Sequence, residues 1–281
     1  MVRTLECPVV PVKRIGILIA CIVVLIAIVP ALICYGARWT FKTPVTVQIR
    51  SGTFNYRPAG DFLRDGMPAD PSIEVITIDR PLSIMKHLVT ATEYQRCVDE
   101  GACARLTPDV AVDGRPAVQV SWRDADAYAT WLSHKTGVHY RLPTDLEWAF
   151  AAGGLFRDDA LPNIDRTDPA QRWLAKYALE ASRDSVESDQ GPLAISRHSA
   201  NENGLLGIAG DVWEWTDTCF MRQALDGRLH RTGKPIVNCG VRVVEGRHRT
   251  YLSDFIRDAR AGGCQVGTPP TNLGFRLVLD D

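Results

Sequence analysis

The run Asn201-Glu-Asn-Gly-Leu-Leu-Gly-Ile-Ala-Gly-Asp-Val-Trp-Glu-Trp-Thr216 constrains this chain more than any other segment. Trp213 and Trp215 stand two apart on an irregular stretch. Indoles in that position act first as large apolar anchors, each burying roughly 150–250 Å². A fold that accepts this segment must wrap a core around it.

Regular elements can be placed around it from local signals. Thr90-x-x-Glu93 and Thr144-x-x-Glu147 are capping boxes, in which the hydroxyl accepts from the third helical N–H while the glutamate reaches back to the cap. Short helices are expected from about 91 and 145. Ser121 caps a longer helix with Ala125, Tyr128, Ala129 and Leu132 on one face and Gly137 as its stop. Asp168-Pro169 opens another through Arg183, expected to bury Trp173, Leu174, Tyr177 and Ala181. Near the C-terminus, Leu273, Phe275, Leu277 and Leu279 alternate with Gly274, Arg276 and Val278, the pattern of a half-buried strand. The fold class is α+β with long irregular connections.

Four motifs then occur in a fixed order: Val89-Thr-Ala-Thr-Glu-Tyr94, Pro116-Ala-Val-Gln-Val-Ser-Trp122, Tyr140-Arg-Leu-Pro-Thr-Asp-Leu-Glu-Trp-Ala149, and the Asn201–Thr216 run with its closing Asn272-Leu-Gly-Phe-Arg276. Together they resemble the formylglycine-generating enzyme (sulfatase-modifying factor) family over roughly residues 73–279. The resemblance implies a C-type-lectin-like fold with much irregular structure, here over residues 73–281. It also implies a structural calcium site: by position, the carbonyls of Ala209, Gly210 and Val212 and the carboxylate of Glu214 would be ligands, hard oxygens of the kind calcium takes.

The first residues belong to something else. Ile15 to Tyr35 carries no charged side chain, about the length that crosses a hydrocarbon core as a helix. The reading is a cytoplasmic N-terminus (1–14), a retained transmembrane signal anchor (15–35), and a stalk or opening strand over 36–72, where Pro44, Pro58, Pro68 and Pro71 cluster among Gly and Asp. Lys13 and Arg14 before the run nearly balance Arg38 and Lys42 after it, so charge does not set orientation. With 46% hydrophobic and 23% charged residues and a formal net charge of −1, the remainder is an ordinary globular chain, and nothing points to nucleic acid.

Cysteines indicate the compartment. Cys97 and Cys103 flank a helix exit at which Gly101 can turn the chain back, and a small disulfide loop follows. Five cysteines in the domain leave one without a partner inside it. The expectation is a single-pass inner-membrane protein with its C-terminal domain in the periplasm.

In the family's catalytic members, two cysteines separated by four residues bind copper and oxidise a substrate cysteine. Anchoring the family's Ala-x-Arg ending on Arg260 puts Arg247 and Leu252 roughly at those positions. Neither supplies the soft sulfur that Cu(I) prefers, so no copper is expected. In their place stands a basic cluster, Arg242, Arg247, His248, Arg249 and Arg257, with Glu245 and Asp254 among them. Such a cluster suits an anionic group or peptide carboxylate, or else forms a solvated face of self-neutralising ion pairs. Cys239 and Cys264 flank the segment; a disulfide between them and a Cys/His metal site with His248 are the alternatives, the first being favoured.

Two function classes remain. One is a maturation or accessory factor that binds a partner enzyme or peptide outside the cytoplasm; the whole pattern looks like the subgroup associated with copper nitrite reductase in denitrifying bacteria. The other is a periplasmic oxidase or small-molecule maturation enzyme of the same family.

Overall fold

The computed structural model describes residues 43–107, 112–161, 168–184, 192–258 and 272–280. The apolar run 15–35 and Cys264 lie outside these residues, and among the described residues no helix is long and apolar enough to cross a membrane.

Three sheets carry the fold. In the first, β1 (Thr46–Ile49), β6 (Leu82–Met85), β12 (Val278–Asp280) and β7 (His139–Arg141) lie side by side, all antiparallel. In the second, β10 (Thr250–Ser253), β9 (Arg231–Glu245), β8 (Trp213–Leu225), β3 (Asp61–Arg64) and β4 (Met67–Pro68) follow one another, and β11 (Leu273–Gly274) runs parallel to β8. The third is a ribbon of β2 (Gly52–Tyr56) and β5 (Glu74–Ile78). Among the described residues four α-helices, α1 (Ala91–Asp99), α2 (Trp122–Thr136), α3 (Asp145–Ala152) and α4 (Pro169–Asp184), complete the mixed α and β architecture. Within the segment read as a stalk or opening strand, β1 to β4 pair in these sheets from Thr46 onward.

The helix starts follow their caps. Thr90 and Thr144 each form the expected reciprocal box with Glu93 and Glu147. Ser121 does the same with Asp124, whose Oδ2 accepts from the Ser121 N–H at 2.9 Å. Helix α2 ends at Gly137, which sits at φ 75° and donates its N–H to the Ser133 carbonyl at 2.9 Å. That left-handed conformation costs glycine little and other residues more.

Two expectations about burial change. Trp173, Leu174 and Tyr177 of α4 are 53–57% exposed. The opposite kind of contact holds this helix: Arg172 makes a two-pronged ion pair with Asp70, at 2.6 and 3.0 Å. Ala181 lies outside the residues whose side chains are described. The C-terminal segment is buried on both sides, since Gly274, Arg276 and Val278 are as enclosed as Leu273, Phe275 and Leu277. Alternation fails because the segment runs between the two larger sheets, β11 joining β8 and β12 joining β6.

Burying Arg276 is possible because its charge is met. Its Nε and Nη2 donate to both oxygens of Glu214 at 2.6 and 2.8 Å, and Nη2 also reaches the Leu206 carbonyl at 3.1 Å. Both side chains are completely enclosed. Trp215, next along β8, is fully buried and donates its indole N–H to the Val120 carbonyl at 2.7 Å, so the tryptophan pair anchors the core as expected.

The cysteines are corrected in part. Cys97 and Cys103 are bonded, as expected. Cys239 is bonded to Cys219, not to Cys264. Residues 219 and 239 meet at a bulge in the β8–β9 hairpin, where Cys219 is in register with Arg242, with their Cα atoms 4.4 Å apart, a proximity that local sequence does not signal.

Breaking the enclosed pair on one side leaves an uncompensated buried charge. We expect Glu214→Gln and Arg276→Met each to cost about 3–5 kcal/mol, read from urea unfolding.

Candidate functional site

The basic cluster of the sequence gathers where β9 ends, turns and returns as β10. Its members meet different fates. Arg249 is fully buried and is the hub of an ionic network. Its Nε donates to Glu245 Oε1 at 2.8 Å, its Nη2 to Asp145 Oδ1 at 3.0 Å, and its Nη1 to the Arg57 carbonyl at 2.9 Å and toward Asp159 at 3.5 Å. The guanidinium lies 5.5 and 5.2 Å from the ring centroids of Tyr56 and Phe156, which stack on each other at 6.2 Å. Tyr56 donates its hydroxyl to Asp145 Oδ2. Tyr251 donates to Asp159 at 2.8 Å and accepts from the Gly60 N–H at 2.9 Å.

Asp145 is well placed to hold a charge, since it is the first residue of α3, where helical N–H groups favour an anion. Glu245 is not. Burial pushes its carboxyl well above the ordinary 4.5; Arg249 pulls it down, and the facing Asp145 pushes it up again. Its Oε2 is enclosed and meets no donor. An acceptor without a donor, opposite another carboxylate, is resolved by a proton on that oxygen, shared toward Asp145. Burial outweighs the other influences on Tyr56 and Tyr251, which are both driven far above the ordinary range for a phenol.

Arg242 and Arg257 are also committed. Arg242 donates to the carbonyl and the carboxylate of Asp217, at 2.8 and 2.9 Å, and its guanidinium carbon stacks 3.8 Å over the Trp122 ring. Arg257 pairs with Asp124 at 2.6 Å. Within this cluster the ion-paired strand face, rather than an open anion site, is what most of the arginines form. Arg247 differs: it is half-buried and has no ion pair or hydrogen bond among the described residues. His248 lies beside it, with Nδ1 3.0 Å from the Arg249 carbonyl and its ring edge-on to Trp213 at 5.6 Å. Gly246 has to be a glycine here, because a Cβ would stand 2.7 Å from atoms of the Trp213 ring.

Leu252, the other residue aligned with a copper-binding position, is buried on β10 opposite Arg242. The residues expected to hold calcium lie just before β8. Ala209 takes a left-handed conformation, φ 55°, unusual for a residue with a Cβ, and the Gly210 N–H donates to the Gly207 carbonyl at 3.2 Å. Glu214 gives both oxygens to Arg276. Among the described residues there is no group of three or more His, Cys, Asp or Glu side chains able to hold a metal.

Sequence reasoning missed Asp145, Asp159, Tyr56 and Tyr251. Asp145 was visible only as the residue after a cap, and the others come from distant segments whose convergence no local pattern announces. Beside the network lies a cavity of about 300 Å³ whose wall includes Arg57, Asp61, Asp70, Asp159, Arg172 and Tyr251. Its charges are paired as well, Arg57 with Asp158 and Arg222 with Asp61.

The proton assigned to Glu245 has a measurable consequence. A carboxyl raised in the folded state stabilises fully below its unfolded value near 4.5, and that contribution is lost as pH rises through the folded value. We expect Glu245→Gln, which keeps an oxygen for Arg249 and an N–H for Asp145, to change stability by less than about 1 kcal/mol at neutral pH and to flatten the decline above 4.5. Arg249→Met is expected to cost about 3–5 kcal/mol. Equal losses in the two variants, followed by chemical denaturation across pH, would contradict the assignment.

Known proteins give this geometry its family. The chain is 34% identical over 190 residues to the formylglycine-generating enzyme of Mycobacterium tuberculosis, covering 59% of this chain and 58% of that one. It is 27% identical over 186 residues to the formylglycine-generating enzyme of Mus musculus, covering 62% and 47%. It is also 32% identical over 164 residues to the inactive C-alpha-formylglycine-generating enzyme 2 of Mus musculus, covering 58% and 48%. The chain thus spans about half the length of these relatives. PvdO from Pseudomonas aeruginosa shares the fold, with a TM-score of 0.52 at 17% identity over 85% of this chain and 95% of that one. The sulfatase-modifying factor enzyme 1-like domain (FGE-sulfatase) matches residues 36–281, and the chain belongs to that family.

Proposed function

We propose that this domain is a binding member of the family, an accessory or maturation factor that recognises an anionic group or peptide carboxylate on a partner protein and does not generate formylglycine. One observation carries the reading. Where the resemblance calls for two thiols, this chain has Arg247 on a turn and Leu252 in the core, while Cys219 and Cys239 are consumed in a disulfide. A domain without that thiol pair lacks the sulfur that would hold Cu(I) and pass electrons from a substrate cysteine.

Recognition centres on Arg247. Arg242, Arg249 and Arg257 spend their charge on Asp217, Asp145 with Glu245, and Asp124. Arg247 keeps a planar fork of donors suited to a carboxylate, next to the imidazole of His248. The partner class follows from the resemblance to the subgroup associated with copper nitrite reductase, which makes that enzyme the first partner to try. The location follows from the apolar run Ile15–Tyr35, read as an inner-membrane anchor that leaves the domain in the periplasm, where the two disulfides would persist.

The test is binding of the full chain, in detergent or membranes, to copper nitrite reductase from the same cells. Arg247→Ala is expected to weaken it about tenfold or more, the loss of a charge-assisted hydrogen bond, with the melting temperature unchanged. Unaltered affinity would remove Arg247 from the interface, and absence of binding by the unmodified chain would remove the partner.

A further inference from the structure

We propose that the Cys219–Cys239 disulfide is a site of thiol–disulfide exchange, open to an external dithiol at Cys239 and assisted at Cys219 by Arg242.

The two disulfides of the domain live in different surroundings. Cys97 is fully buried and Cys103 is 9% exposed, so no thiolate reaches either sulfur without disturbing the core. Cys219 is half-buried and Cys239 is exposed. Exposed disulfides are the ones that exchange readily, because attack needs an unobstructed approach to sulfur.

The backbone sets Cys239 apart. Phe220 pairs with Asn238 and Cys219 with Arg242, so β9 advances four residues while β8 advances one. Cys239, Gly240 and Val241 form the bulge, and Cys239 has no ladder partner to lose.

The leaving sulfur is provided for. Arg242 is the register partner of Cys219, which places the two on one face of the sheet, and it is held over Trp122 with Nη1 on Asp217. Its Nε is buried and has no acceptor among the described residues. From that register position the unused guanidinium N–H favours a thiolate over a thiol at Cys219, against the opposing carboxylates of Asp217 and Asp126 that share the guanidinium.

The step balances with the dithiol as reductant. One of its thiolates attacks Cys239 Sγ, a mixed disulfide forms, and the S–S electron pair leaves on Cys219. The second thiol of the dithiol, deprotonated by solvent, attacks its own partner sulfur, closes a ring and expels Cys239 as thiolate. Two electrons pass to the protein; the dithiol becomes a cyclic disulfide, and water supplies the protons of the two cysteines.

The experiment equilibrates the folded full chain with graded ratios of reduced to oxidised dithiothreitol, then alkylates and maps the cysteines. Cys219–Cys239 is expected to open at a ratio at least tenfold lower than Cys97–Cys103, about 30 mV for a two-electron couple, while far-ultraviolet dichroism stays native. Opening of both bonds together, or of Cys97–Cys103 first, overturns the proposal. The role of Arg242 has its own readout in Cys239→Ser, where the pH dependence of Cys219 alkylation is expected to have its midpoint below the free-cysteine value of about 8.5, and to rise when Arg242→Met is added. A midpoint at or above that value, or one indifferent to Arg242, overturns that part.

Discussion

The enclosed pair of Glu214 and Arg276 is the interaction on which the rest of the domain depends. A charge of either sign in this position would be prohibitive alone, since taking an ion out of water costs several kcal/mol even after relaxation. The pair is tolerable because the geometry is two-pronged and because the guanidinium's remaining donors reach backbone carbonyls, among them Leu206. Those contacts tie the end of the chain to β8 and to the loop before it. Val212, Trp213 and Trp215 are buried around the same strand, so the site and the core share one support.

A second enclosed guanidinium does the same for the segment between β9 and β10. Arg249 draws Glu245, Asp145 and Asp159 together with two phenols, one from β2 and one from β10. Three carboxyl groups surround one cation, and burial with the facing Asp145 holds the Glu245 carboxyl well above its ordinary range. This network fixes the turn that carries Arg247 and His248. Charge that looks available in the sequence is mostly consumed in ion pairs, Arg249 with Asp145 at that turn, Arg242 with Asp217 and Arg257 with Asp124 elsewhere.

Local physics was legible in the sequence. The reciprocal hydrogen bonds of Thr90, Ser121 and Thr144 and the left-handed stop at Gly137 depend on residues within four positions of each other, and the helices begin and end where those signals put them. The Cys97–Cys103 loop was legible for the same reason. Contacts between distant strands were not. Cys239 took Cys219 because a bulge brings them together, and nothing in the spacing of cysteines distinguishes that partner from Cys264. Amphipathic periodicity in α4 identified a helix and failed on its environment: the apolar stripe faces outward, and Arg172 docks the helix. The basic cluster was seen as a set, but whether an arginine is a ligand or a strut depends on carboxylates from other segments.

The central claim is that, with Arg247 and Leu252 at the two positions where the family's catalytic members carry copper-binding cysteines, no thiol pair stands there to oxidise a cysteine. Mass spectrometry of a sulfatase-type cysteine peptide incubated with the purified full chain, oxygen, a reductant and added Cu(I) tests it directly. The account predicts recovery of the unmodified thiol peptide, with the Cys219 and Cys239 sulfurs contributing no turnover. Catalytic conversion of the cysteine to formylglycine, abolished by Cys219→Ser or Cys239→Ser, would contradict it.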